Sequence, residues 1–325
     1  MTLRGLPRLT GVTARLLFAG TPDIALPALD ALVAGPHEVV GVLTRPDAPA
    51  GRGRRTAASA VARRAEELGL PVLRPRSPRD PDALRAVRDL APDCAPVVAY
   101  GALLPADLLA VPPHGWVNLH FSLLPAWRGA APIQHCLLAG DEMSGATTFR
   151  IVEELDAGPV LGTLAEPVRP RDTAGELLDR LSRAGAGLLA ATVDGLVEDR
   201  LVAVAQPSDQ VSYAPQLSPD DARVRWEDPA FAVDRRVRAC TPAPGAWTTL
   251  DGARLKLGPV EPVDDDSAPG GLEPGELHVT SQLVYAGTGA GAVRLGPVQP
   301  AGRRPAVAAD WARGARLRPG ARLGR

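Results

Sequence analysis

The stretch from Arg15 to Thr44 constrains the fold most. Arg15-Leu-Leu-Phe-Ala-Gly20 is a short apolar run that stops at a glycine, with Thr-Pro-Asp behind it. A run of that length bounded by turn residues fits a strand buried on both faces. Thr21 is placed to cap a helix whose first turn would hold Pro22. Leu26, Leu29, Leu32 and Val33 then recur at helical spacing, and Val39 to Thr44 forms a second apolar run. Strand, helix and strand in that order require a crossover. The two strands are therefore parallel, and the chain begins as an open α/β sheet.

The alternation continues. Ala57 to Leu68, Pro81 to Leu90, Ala130 to Ala139 and Ala174 to Val197 read as helices, and Pro71 to Leu73, Pro96 to Tyr100 and Trp116 to Phe121 as strands. This predicts a Rossmann-like, doubly wound parallel sheet over residues 15–205. A chain of 325 residues has room for a second domain. Gln206 to Pro219 is polar and punctuated by proline, so 206–218 reads as a linker. From 219 to 325 the texture changes. Ala246–Leu250, Arg254–Leu257, Gly275–Thr280, Leu283–Ala286 and Ala292–Val298 are short strand-like pieces, interrupted by an acidic Pro/Gly stretch from Glu261 to Glu273. They suit a small β-barrel or sandwich. Residues 1–14, with Arg4 and Arg8 and no acid, read as an extension, a targeting remnant or a product of an upstream start codon.

Composition narrows the setting. Aromatic residues make up only 4% of the chain, so its cores must be built from Leu, Val and Ala. Cys94, Cys136 and Cys240 are odd in number and far apart, which suggests neither a metal site nor a disulfide framework and fits a reducing cytosol. No apolar run reaches the length of a transmembrane helix. A net charge of -1 conceals an uneven distribution. Arg45, Arg52, Arg54 and Arg55 face Asp47 alone within Arg45–Thr56, and Arg294–Arg325 holds eight arginines against Asp310. Lys256 is the only lysine, a bias typical of GC-rich coding, so the clustering of arginine carries more information than its number. Each cluster reads either as a solvated segment or as a face for a polyanion.

Chemistry concentrates after the strand at Trp116. Asn118 and His120 are two apart, so the pleat points both side chains to one face. The strand ends where open α/β sheets place their ligand crevice. An amide and an imidazole side by side suit the oxygen of a reacting carbonyl. They are equally the composition of a satisfied polar pair at a sheet end. Asp156, in Glu154-Leu-Asp-Ala-Gly-Pro159, is a turn residue or a carboxylate brought to His120. Ser122 to Pro125 is a proline-closed turn whose Leu123 and Leu124 could wall a flat ring. Cys136 reads as core filling rather than a nucleophile.

The string Val117-Asn-Leu-His-Phe-Ser-Leu-Leu-Pro-Ala-Trp-Arg-Gly-Ala-Ala-Pro-Ile-Gln134 closely resembles the methionyl-tRNA formyltransferases. The likeness extends to Phe18–Asp23, Arg45–Gly53, Val98–Gly101, Ala139–Asp141, Gly145–Thr147, Leu155–Pro159, Tyr213–Leu217, Pro242–Trp247 and Gln299–Gly302. Asn-x-His and Ser-Leu-Leu-Pro are shared with other folate-dependent formyltransferases, whereas Trp-Arg-Gly-Ala-Ala-Pro and the arginine loop narrow the resemblance to this family. It implies a formyltransferase domain followed by an OB-like tRNA-binding barrel. The implied reaction moves a formyl group from 10-formyltetrahydrofolate, without a metal, to the amino group of methionyl initiator tRNA, in a cytoplasmic monomer. By the same resemblance Asn118, His120 and Asp156 match the catalytic triad, and Ser122, Leu123, Leu124 and Pro125 the folate-binding segment. Arg52, then Arg54 and Arg55, match the loop used for tRNA. Ala157, Glu154, Phe121 and Ala126 depart from the usual pattern, which bears on turn shape and substrate seating. Amino-sugar formyltransferases, formyltetrahydrofolate hydrolases and noncatalytic folate- or RNA-binding proteins are the rival expectations.

Overall fold

A computed structural model describes residues 13–50, 55–263, 270–318 and 320–325. In chain order the first elements are β1 (Arg15–Gly20), α1 (Leu26–Val33), β2 (Glu38–Leu43), β3 (Ala48–Ala50), β4 (Arg55–Ala57), α2 (Ala60–Glu67), β5 (Val72–Leu73), α3 (Pro81–Leu90), β6 (Ala95–Val98), α4 (Ala106–Leu109) and β7 (Trp116–His120). Next come α5 (Pro132–Ala139), β8 (Met143–Arg150), β9 (Val160–Pro167) and α6 (Ala174–Val197). Seven strands form one sheet in the order β5-β2-β1-β6-β7-β8-β9. β5, β2, β1, β6 and β7 are parallel, as the opening pattern predicts, and β8 runs antiparallel to β7. The sheet is therefore mixed at one edge. Strands β1, β2, β6 and β7 are largely buried because helices cover them, and Leu17, Leu43, Val87, Val97, Leu108 and Trp116 form part of that core.

Two local expectations change. Thr21 does not cap α1. Its hydroxyl donates to the Tyr100 carbonyl at 2.8 Å and accepts from Arg45 N at 3.4 Å, tying the ends of β1, β2 and β6 together. A single 3-10 turn at Asp23–Ala25 intervenes, and α1 starts with Pro27 in its first turn. Ala57 belongs to the β3–β4 hairpin, and α2 begins only after Ser59, whose hydroxyl accepts from Ala62 N.

The chain forms two compact units. The first holds the described residues up to Arg128, Gly145–Glu166 and Asp179–Ser212, and the second holds Gly129–Ser144, Pro167–Leu178 and Tyr213–Arg325. The second unit contains α7 (Ala230–Ala239), β10 (Trp247–Leu250), β11 (Ala253–Leu257), β12 (Glu261–Val263), β13 (Leu277–Val279), β14 (Val284–Gly287), β15 (Ala292–Arg294), β16 (Val298–Pro300) and α8 (Ala308–Ala315). Its strands make two antiparallel sheets, β10-β11-β16 and β12-β15-β14-β13. They enclose one core around Trp226, Val233, Val237, Leu255, Val284 and Val293. The single strand expected over Ala292–Val298 is two, because Gly296 and Pro297 interrupt it. Helix α7 pairs Arg238 with Asp234 at 2.7 Å, both side chains buried, and Arg238 also donates to the Asp172 carbonyl at 3.0 Å.

Candidate active site

In a parallel sheet every strand delivers its carboxyl end to the same edge. Residues after β1, β2, β6 and β7 therefore meet there, and β7 ends on His120. Strand regularity settles the first geometric question. Asn118 and His120 pair with Phe149 and Thr147 of β8 in continuous register, so they share a face. Asn118 is half-buried, and no hydrogen bond from its amide is found among the described residues. His120 is buried, with Phe149 edge-on to its ring at 6.4 Å between centroids.

Two groups approach the imidazole. Nε2 lies 2.9 Å from the Trp127 carbonyl, and the Asp156 carboxylate lies 3.8 Å from Nδ1. A carbonyl can only accept, so Nε2 carries the hydrogen and Nδ1 is the nitrogen left for chemistry. The Asp156 gap is wider than a direct hydrogen bond and within ion-pair reach of a protonated ring. Both partners need special backbone. Trp127 sits at φ 61° and Asp156 at φ 49°, the left-handed region in which a bulky indole is uncommon and an aspartate tolerated. Trp127 is held there by Ser212, whose hydroxyl accepts from Trp127 N at 2.9 Å. The Asp156 turn closes against Gly158, where an added Cβ would lie 1.7 Å from the Arg150 carbonyl, so only glycine fits.

The Ser122–Pro125 turn is braced from β8. Thr147 Oγ1 donates to the Ser122 carbonyl at 2.7 Å and accepts from Leu124 N at 3.2 Å. Ser122 Oγ donates to the Ala126 carbonyl at 2.6 Å, and Ala126 N donates to the Leu123 carbonyl at 3.1 Å. Leu123 lies over Gly145, where a Cβ would come within 2.5 Å of its side chain. Much of the turn's polar backbone is thus engaged internally. What it presents is mainly the half-buried apolar surface of Leu123 and Leu124.

Other candidates are placed as follows. Arg52 and Arg54 lie outside the described residues. Arg55 enters β4 opposite Ala50. Cys136 is buried, and burial pushes its thiol up to about 12, which suits packing rather than attack on a carbonyl. Among the described residues no group of three or more His, Cys, Asp or Glu side chains is arranged to hold a metal ion. Sequence reasoning missed the partners that shape the site, Thr147, Trp127, Arg128, Gln206 and Ser212. Arg128 and Thr147 lie within the motifs that carry the family resemblance but show no role of their own there, and Gln206 reads as the start of a linker.

Comparison with known proteins decides the family. The Formyl transferase model matches residues 14–193, and the Formyl transferase, C-terminal domain model matches residues 216–316. A methionyl-tRNA formyltransferase of Nocardioides sp. is 62% identical over 310 residues, covering 95% of this chain and 98% of the relative. The chain belongs to the methionyl-tRNA formyltransferases. A family member from Streptomyces coelicolor is likewise 62% identical, over 95% of this chain and 99% of the relative. Solved structures show how widely the fold is used. HypX from Aquifex aeolicus in complex with tetrahydrofolic acid superposes with TM-score 0.64 at 18% identity over 93% of this chain, which spans 47% of HypX. WlaRD, a sugar 3N-formyl transferase, gives 0.65 at 14% identity over 90% of this chain and all 100% of its own. Glycinamide ribonucleotide transformylase 1 from Symbiobacterium toebii gives 0.52 at 20% identity, over 63% of this chain and 100% of its own.

Proposed function

We propose that the chain formylates the α-amino group of methionyl initiator tRNA with 10-formyltetrahydrofolate, using Asn118, His120 and Asp156. Membership of the family, at 62% identity over nearly the full length, supports the reaction. One observation supports the residues: a carboxylate far along the chain, on the β8–β9 loop, comes within 3.8 Å of the imidazole at the end of β7.

The co-substrate supplies a formyl carbon at the oxidation level of an amide. A free α-amino group titrates at about 7.7–8.0, and an adjacent ester lowers that, so a neutral amine is available at pH 7. The harder task is to stabilise the carbonyl oxygen as it turns negative on attack. The Asn118 amide donates to it directly. His120 donates through Nδ1, since Nε2–H is committed to Trp127. A second proton on that ring makes it cationic, and Asp156 is the counter-charge. Asp156 also takes up, through a water, the proton that the amine loses as its new C–N bond forms. The old C–N bond to the folate breaks, and that proton leaves with tetrahydrofolate. Leu123 and Leu124 offer apolar wall to the flat ring of the folate. Ser122 and Pro125 fix the turn that carries them.

For the RNA, Arg52, Arg54 and Arg55 contact the acceptor arm, and the second unit binds backbone phosphate. Arg303, Arg304, Arg316, Arg318 and Arg325 are exposed there. Arg294, Arg313 and Arg322 pair with Glu261, Asp310 and Glu276. Among the described residues no helix is long and apolar enough to cross a membrane, and the unpaired buried cysteines suit a reducing compartment such as the cytosol. Purified protein, 10-formyltetrahydrofolate and charged initiator tRNA should yield formylmethionyl-tRNA. Equal formylation of an elongator methionyl-tRNA, or none of either, would overturn the assignment.

A further inference from the structure

We infer that Gln206 and Arg128 are positioning residues that hold the two contacts of His120 in one frame, and so set the place of the Asp156 carboxylate. The inference rests on the role proposed above for Asp156.

Gln206 Nε2 lies 2.8 Å from the Asp156 carbonyl and 2.8 Å from the Gly158 carbonyl. Its Oε1 accepts from Arg128 Nε at 3.1 Å and from Arg128 Nη2 at 2.8 Å. Two donors and two acceptors are the full capacity of a carboxamide, and all four are used. The partners also fix which end is which: carbonyls can only accept and a guanidinium can only donate. Arg128 is buried, and its third contact is Nη1 to Glu154 at 3.2 Å. Its own backbone N–H donates to the Ser212 carbonyl at 2.8 Å. Arg128 directly follows Trp127, whose carbonyl takes the His120 Nε2–H. The bonds therefore run from the imidazole through the Trp127–Arg128 backbone, the guanidinium and the carboxamide to the turn carrying Asp156, which faces the same imidazole at Nδ1.

This arrangement does more than close a loop. Asp156 and Trp127 both sit at positive φ, conformations that persist only when their surroundings over-determine them. Gln206 engages one of the two turns and Arg128 joins it to the other. A shift of either moves the carboxylate relative to Nδ1, and a displacement of about 1 Å can cost on the order of a hundredfold in rate.

Gln206→Glu separates the roles. It keeps two acceptors for Arg128 and replaces the donor pair with an oxygen facing two carbonyls. Single-turnover formylation and initial rates would be measured for Gln206→Glu, Asp156→Ala and the double variant, with Gln206→Met as the second choice should the first fail to fold. The expected result is a fall in kcat of about 10- to 100-fold in Gln206→Glu, with KM for both substrates within about twofold. In the Asp156→Ala background the same substitution should add no further loss, because its effect passes through Asp156. Equal losses in both backgrounds, or full kcat in Gln206→Glu beside an impaired Asp156→Ala, would overturn the inference alone. Full kcat in Asp156→Ala would overturn the reading of Asp156 and this inference with it.

Discussion

At Trp127 one carbonyl oxygen decides what His120 can do. By accepting from Nε2 at 2.9 Å it fixes the tautomer, so whatever the ring gives to a reacting carbonyl must come from Nδ1. The sequence places the imidazole on the correct face of a strand but says nothing about which nitrogen is free, since the fixing group is backbone. Asn118 is the simpler case, a half-buried amide to which the proposed mechanism gives the task of donating to an oxyanion. Asn118→Ala and His120→Ala should each slow single-turnover formylation by about two to three orders of magnitude, matching roughly 2.7–4 kcal/mol for one lost oxyanion donor. Thermal melts should show Asn118→Ala still folded, and a folded Asn118→Ala variant with near wild-type turnover would remove the amide from the mechanism.

At the scale of elements, periodicity and punctuation located the parallel strands well, and Pro81–Leu90 and Ala174–Val197 agree with the pattern end to end. β8 and β9 were not anticipated. β8 is Met-Ser-Gly-Ala-Thr-Thr-Phe-Arg, with too few large apolar residues to look buried, yet Ser144 to Phe149 are all inside, between β7 and β9 in the sheet and with Thr148 meeting Thr192 of α6 at 2.9 Å. Its Thr147 braces the Ser122 turn, and Gly145 makes room for Leu123. Helix α7 was also missed, since Ala-Phe-Ala-Val-Asp-Arg-Arg-Val-Arg-Ala reads as polar until Asp234 and Arg238 are seen buried together one helical turn apart. Burial makes that pair asymmetric in its consequences. Asp234→Ala would leave Arg238 charged and short of a partner, so stability of the second unit should fall by about 3–5 kcal/mol in urea denaturation. A loss below about 1 kcal/mol would mean that the guanidinium reaches water instead.

Across the whole molecule, charge and titration depend on which segments meet. Eight arginines against one acid in Arg294–Arg325 look like a strong basic face, yet Glu261 and Glu276, from outside that segment, pair with two of them. Only the arginines left exposed can serve a polyanion. The cysteines behave collectively. Burial pushes Cys94 and Cys136 up to about 12 and Cys240 up to about 11, from an ordinary value of 9.0. Between those values the folded chain keeps protons that the unfolded chain has released. Stability should therefore fall as pH rises from about 9 toward 12, with no contribution from these thiols below that window. Melting temperatures across pH 8 to 10.5 would show the decline, and Cys94→Ala should make it shallower. An unchanged slope in that variant would mean that Cys94 titrates alike in both states.

The sequence by itself determined the α/β opening, a second domain of short β-strands, the family and the strand face shared by Asn118 and His120. Each follows from local pattern, where side-chain spacing and chain geometry are enough. Only the tertiary structure decided that Asp156 reaches His120, that Trp127 supplies the group fixing the ring, and that a glutamine at the head of an expected linker joins the two turns. Those contacts run between backbone carbonyls and side chains distant in the chain. No periodicity records them, because they exist only once the sheet has brought its strand ends and loops together.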